Sequence, residues 1–181
     1  MFGFTTSDSK NAIDLLKQDH EEVDGLFKDY EAAKKEGTSA TKLALASHIC
    51  SALSVHATIE EELFYPAIRG VDPEMDDLVD EAAVEHQSLK DIIGRLEAAP
   101  QSDPLYDAGV KVLSEYVKHH VKEEENEIFP KVRKSEIDLE QLGERILARK
   151  AELESGNGKP PSATAHRGRV ENKSSENRRS S

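Results

Sequence analysis

A single cysteine, Cys50, is present in the whole chain. One thiol can form no intrachain disulfide and no cysteine-ligated zinc or iron–sulfur site, so those classes are excluded. The usage fits a reducing compartment, and Cys50 itself reads as a buried, inert thiol. No apolar run approaches the roughly 18 residues of a spanning helix, so no membrane segment is expected. Met1 to Lys10 lacks a charged stretch followed by an apolar one; no signal peptide is expected, and the expected location is cytoplasmic. Period-two alternation is absent, and no Asn-Gly pair joins apolar runs in the body of the chain, which argues against sheets and hairpins. Basic charge is scarce: 24 Lys and Arg face 36 Asp and Glu, a formal charge of -12. The tail 156–181 carries Lys159, Arg167, Arg169, Lys173, Arg178 and Arg179 against Glu171 and Glu176, so the deficit lies in residues 1–155. An acidic body repels phosphate backbones and attracts cations, so nucleic acid is not an expected partner.

What is present is helical spacing. Ile13, Leu16, Val23 and Phe27 form a stripe over about 9–36, ending near Gly37. Leu45, Ile49, Ala52, Ile59 and Leu63 form one over about 39–68, with Thr38 or Ser39 as the cap. Asp72-Pro73 and Asp103-Pro104 each read as an N-cap followed by proline at the first helical position. They open helices to about 98, on Val79, Ala82, Leu89, Ile93 and Leu96, and to about 134, on Leu113, Tyr116 or Val117, and Ile128. A shorter fifth helix over about 139–154 has Asp138 as cap and Gln141 in the capping-box position. Short joints make the expected fold all-α, an antiparallel up-down-up-down four-helix bundle over residues 1–155. Residues 156–181, rich in Gly, Pro, Ser, Asn and Arg, read as a disordered tail.

The chain also repeats itself. Asp19-His20-Glu21 is echoed by Glu85-His86-Gln87, and His56 to Pro66 by His120 to Pro130, with His–Glu pairs four apart at 56/60 and 120/124. A helix pair used twice gives approximate two-fold symmetry around a central axis. Each of the four stripes places one histidine inward: His20, His56, His86 and His120. Residues i and i+4 share a face one turn apart, so Glu60 and Glu124 point into the same interior. A lone inward histidine is ordinarily a hydrogen-bonded core residue. Four of them with two carboxylates are costly to bury unpaired, and a pair of cations removes that cost. The expected ligands are therefore His20, His56, Glu60, His86, His120 and Glu124, with the two glutamates bridging. Nitrogen and oxygen donors without thiolate suit iron or manganese, or zinc. His48 and His166 are expected outside the site, and His119 beside it. Glu61, Glu62, Glu123 and Glu125 are expected to form a solvated acidic face, with Glu61 the alternative extra ligand or part of an entry path for iron. Tyr116 is expected to face inward.

These residues resemble the hemerythrin-like, or HHE cation-binding, family over about residues 10–134. The likeness rests on Gln18-Asp19-His20-Glu21, His56 to Pro66, Glu85-His86 and His120 to Pro130. It implies two non-haem iron ions (Fe2+/Fe3+), oxo- or hydroxo-bridged, reacting with O2, peroxide or nitric oxide. Oxygen-carrying members have a second histidine one turn after the helix-three ligand, where this chain has Lys90, and end with Asp where it has Glu124. The four-His, two-Glu set is similar instead to di-iron proteins of iron–sulfur repair and to mycobacterial-type proteins that degrade peroxide. Three functions follow as expectations: a di-iron protein that binds a small diatomic ligand or senses or stores iron, a di-iron oxidoreductase acting on peroxide or in nitric oxide response, and a metal-free helical interaction module.

Overall fold

The computed structural model describes residues 11–100 and 102–156. Helix α1 spans Ala12–Glu36 and is capped by Asn11, whose side chain accepts from the Asp14 N–H at 3.1 Å. It starts later than the spacing predicts; positions 9 and 10 lie outside the described residues. It ends at Gly37, where a Cβ would lie 2.7 Å from the Ala33 carbonyl oxygen, so the close turn into the next helix requires glycine. Helix α2 runs as Ser39–Ile59, Glu60–Phe64 and Tyr65–Ile68, with Thr38 as its cap. Helix α3 spans Pro73–Ala98 with Asp72 as cap, as its Asp-Pro start predicts. Helix α4 runs as Tyr106–Glu123, Glu124–Ile128 and Phe129–Val132. Its Asp103-Pro104 start does not behave like that of α3. The Asp103 side chain accepts from the Leu105 N–H at 2.8 Å, which makes a turn, and the helix begins two residues later than expected. Helix α5 spans Leu139–Glu154, and Asp138 accepts from the Gln141 N–H at 2.9 Å. The expected disordered tail lies almost entirely outside the described residues.

Two stretches depart from the straight helices that the spacing predicts. Glu60–Phe64 and Glu124–Ile128 are π-helical, with the Tyr65 N–H bonding to the Glu60 carbonyl and the Phe129 N–H to the Glu124 carbonyl. Each precedes a proline, Pro66 and Pro130. Proline offers no N–H and its ring collides with the carbonyl four residues back, so a widened turn just before it relieves the clash. The extra residue shifts the inward stripe by one: Phe64 and Tyr65 are buried, and Leu63 only partly.

The bundle core is split. One apolar cluster contains Ile13, Leu16, Ile59, Phe64, Ile68 and Met75, and is closed by Leu142 and Ile146 of α5. The other contains Val23, Phe27, Ile49, Leu89, Ile93 and Leu113. Between the two lies a layer of buried polar side chains, one or two from each of α1 to α4. Burial of so many aliphatic groups drives the bundle together, and the polar layer is where it demands another explanation.

Candidate metal centre

That layer contains His20, His56, Glu60, His86, His120 and Glu124, all buried. The six residues singled out from the sequence are thus brought together. The histidine Nε2 atoms converge: His20 and His56 approach to 3.2 Å, His86 and His120 to 3.0 Å. Glu60 spans the two pairs, with Oε1 3.2 Å from His56 and Oε2 3.3 Å from His86. Glu124 Oε2 lies 3.2 Å from His20 and 3.6 Å from His120. The donors fall into two groups sharing Glu60, one of His20, His56, Glu60 and Glu124, the other of Glu60, His86 and His120.

The outer nitrogens settle the direction of the imidazoles. His20 Nδ1 donates to Glu125 at 3.0 Å, His86 Nδ1 to Glu61 at 3.0 Å and His120 Nδ1 to Glu85 at 2.7 Å, while His56 Nδ1 faces Asp19 at 3.5 Å. A carboxylate only accepts, so each Nδ1 carries the proton and, in the neutral ring, each Nε2 presents a lone pair inward. Glu60 Oε1 and Oε2 and Glu124 Oε2 are buried with no hydrogen-bond partner among the described residues. Lone pairs and anionic oxygens therefore face one another across about 3 Å. Donor atoms about 2.1 Å from a common cation lie roughly 3.0–3.4 Å apart, so the donor set fits a pair of cations. The electrostatics agree. Burial works against a charged His56, yet Glu60 and Asp19 outweigh it and push its pKa up to about 10; in the same way Glu60 and Glu61 push His86 up to about 9. Burial would raise Glu60, but His56 and His86 hold it well below the usual carboxylate range. A field that keeps protons on buried imidazoles favours cations equally.

Aromatic rings form one wall. Phe129 stacks on His20, with centroids 5.9 Å apart and planes 5° from parallel, and Tyr65 packs against His86 at 5.5 Å. The Tyr65 hydroxyl donates to Glu124 Oε1 at 2.9 Å. Tyr65 is the residue that spacing missed, because only the π turn brings it inward; the sequence signal was its place before Pro66, matching Phe129 before Pro130. Tyr116, expected inward, is 49% exposed. Tyr65→Phe is expected to cost about 1–3 kcal/mol by leaving a buried carboxylate oxygen unsatisfied, measurable by urea unfolding. On the other wall, Val23, Leu53, Leu89, Ile93, Val117 and Val121 line a cavity of about 20 Å³ that reaches the four histidines, room for about one water-sized molecule.

The acidic face is corrected in part. Glu61 is exposed as expected and Glu125 is half-buried, but each also accepts from a histidine of the layer, and Glu61 stands outside the ring of converging donors. Glu62 pairs with Arg149 at 2.7 Å. His119, beside the site as expected, is exposed and lies 3.3 Å from Glu85 and 3.2 Å from Glu123. His48 is exposed, as expected. Cys50 is buried, and that burial pushes its thiol up to about 12.

A helical bundle that gathers this donor set into its core defines a metal-binding protein. The chain belongs to the hemerythrin HHE cation-binding domain family, whose model matches residues 11–132. An uncharacterized protein of Mycobacterium tuberculosis is 27% identical over 146 residues, 79% of this chain and 87% of that one. A DNA nickase of Nostoc sp. is also 27% identical, over 80% of this chain but 40% of its own length. A crystal structure of a hemerythrin HHE cation-binding domain-containing protein from Mycobacterium kansasii matches with a TM-score of 0.65 at 28% identity, covering 85% of this chain and 96% of that one. Among the described residues no helix is long and apolar enough to cross a membrane.

Proposed function

We propose that the chain is a non-haem di-iron protein that binds O2 or a comparably small ligand beside its metals. His20, His56, Glu60 and Glu124 would hold one ion, and Glu60, His86 and His120 the other. The observation that carries this is the set of three buried carboxylate oxygens without hydrogen-bond partners among the described residues, aimed at four inward-facing imidazole nitrogens. Two iron ions supply reversible electron exchange with oxygen species. The protein's part is to fix the four rings through their outer carboxylates, to keep water scarce with aliphatic walls, and to limit the ligand to a few atoms by the size of the cavity. Metal analysis with an absorption spectrum tests it. Two irons per chain and near-ultraviolet bands in oxidised protein are expected; one zinc and no iron would sink the proposal.

A second reading, turnover of peroxide, is favoured by the unequal donor groups. Lys90 lies one turn after His86, but its ammonium is committed to Glu61 at 2.5 Å, so it adds no donor. An ion held by Glu60, His86 and His120 would thus have one protein ligand fewer than its neighbour, and an open position there would favour chemistry over storage. Oxygen release from H2O2 by iron-loaded protein, lost in Glu124→Ala, would establish it. No release from fully loaded protein leaves ligand binding as the role.

A further inference from the structure

The carboxylates behind the histidines are themselves held. Lys17 lies 3.3 Å from Glu125, Lys90 2.5 Å from Glu61, Lys150 2.5 Å from Asp19, and His119 3.3 Å from Glu85. Each inward imidazole therefore ends a line of three groups: a basic side chain nearer the surface, a carboxylate, a ring. Three of these basic groups, Lys17, Lys90 and His119, belong to the four bundle helices. Lys150 alone belongs to α5, the helix packed across α1 and α2 outside the bundle.

The α5 line has two features that make its cation matter most. Asp19 is the most enclosed of the four carboxylates, its side chain 11% exposed against 18–35% for the others. Water screens and orients it least, so its position depends on its protein partners. Its contact to the ring, 3.5 Å to His56 Nδ1, is also the longest of the four, so a small shift of Asp19 releases the ring. Lys150 bonds the oxygen of Asp19 that His56 does not use, Oδ1 against Oδ2, and thereby fixes the carboxylate's rotation. Removing Lys150 leaves a largely buried carboxylate with one distant partner among the described residues.

We propose that Lys150 is a positioning residue for the metal centre: through Asp19 it sets the orientation of His56, so the seating of α5 governs how tightly the ion shared by His20 and His56 is held. This rests on the di-iron reading above. The α5 helix is then part of the site, linking the state of its outer surface to one of two ions and sparing the other.

The test uses the full chain loaded with iron, comparing Lys150→Met, Lys150→Arg and, as a control for α5 docking alone, Arg149→Met, which breaks the pair to Glu62 on the neighbouring face. Iron release to a chelator is followed by absorbance, alongside the near-ultraviolet spectrum. Loss of an outer partner of a metal-bound histidine weakens binding roughly 10–100-fold, and one link further out about tenfold is expected. Lys150→Met should release one of its two irons about tenfold faster and shift the spectrum, Lys150→Arg should restore both, and Arg149→Met should match the wild type. Should Lys150→Met fold poorly, Asp19→Asn gives the same readout, and adding Lys150→Met to it should change nothing further. If wild type holds two irons and Lys150→Met releases both at wild-type rates with an unchanged spectrum, the inference fails alone; equal effects of Arg149→Met and Lys150→Met also overturn it, by reducing Lys150 to a docking contact. Wild type that takes up no iron overturns the di-iron reading beneath it.

Discussion

Stripping iron from the loaded chain is expected to lower its melting temperature by roughly 8–16 °C. The estimate follows from linkage. A ligand held at about a thousand times its dissociation constant adds about 4 kcal/mol to the folded state, and for a chain of this size each kcal/mol moves the melting temperature by about 2–4 °C. The structure explains why the bundle should feel the loss. Its two apolar clusters are separated by a layer in which Glu60 and Glu124 are buried among four imidazoles. Without cations that layer must be neutralised by protons or tolerate repulsion. Calorimetry or circular dichroism before and after chelation checks it. An unchanged midpoint would favour the metal-free interaction module, with the histidines structural.

The second large effect concerns Glu60. It touches both histidine pairs, through Oε1 to His56 and through Oε2 to His86, whereas Glu124 presents one oxygen to the histidines and gives the other to Tyr65. Glu60→Ala is therefore expected to drop iron content from two per chain to fewer than one, because both donor groups lose a shared member. Its effect on affinity should exceed the roughly 10–100-fold cost of removing an outer partner. His20→Ala, by contrast, should retain the ion of His86 and His120. His48→Ala, on the exposed surface, should keep both. Retention of two irons by Glu60→Ala, measured on folded protein, would remove Glu60 from the site.

Much of this was legible in the residues themselves. Helical periodicity marked all five helices through their apolar stripes, and Asp72-Pro73, Asp138 and Thr38 marked the starts of α3, α5 and α2 through caps that the structure contains. The inward histidines were visible because each stripe stepped through them at intervals of three and four. What escaped was everything that depends on a broken period. A π turn adds a residue without altering composition, so Phe64 and Tyr65 could not be placed from a uniform 3.6 repeat, and Tyr116 was assigned the inward role that Tyr65 holds. The outer carboxylates escaped for another reason. Asp19, Glu61, Glu85 and Glu125 each adjoin a site residue in sequence but serve a histidine on a different helix, a relation that only packing reveals. The turn at Asp103-Pro104 shows that identical dipeptides need not start helices alike: Asp103 spends its oxygen on the N–H of Leu105, two residues on, where Asp72 reaches that of Met75, three on.

The widened turns have a broader meaning. Up to Glu60 and Glu124, helices α2 and α4 keep one angular phase; beyond Phe64 and Ile128 they keep another, rotated by the added residue. In each helix the donors and the rings that wall them in thus belong to separate rotational frames joined at one widened turn. The second frame is turned so that its rings meet the donors of the first, Tyr65 reaching Glu124 and Phe129 lying on His20, so the added residue is what brings these aromatic side chains against the site.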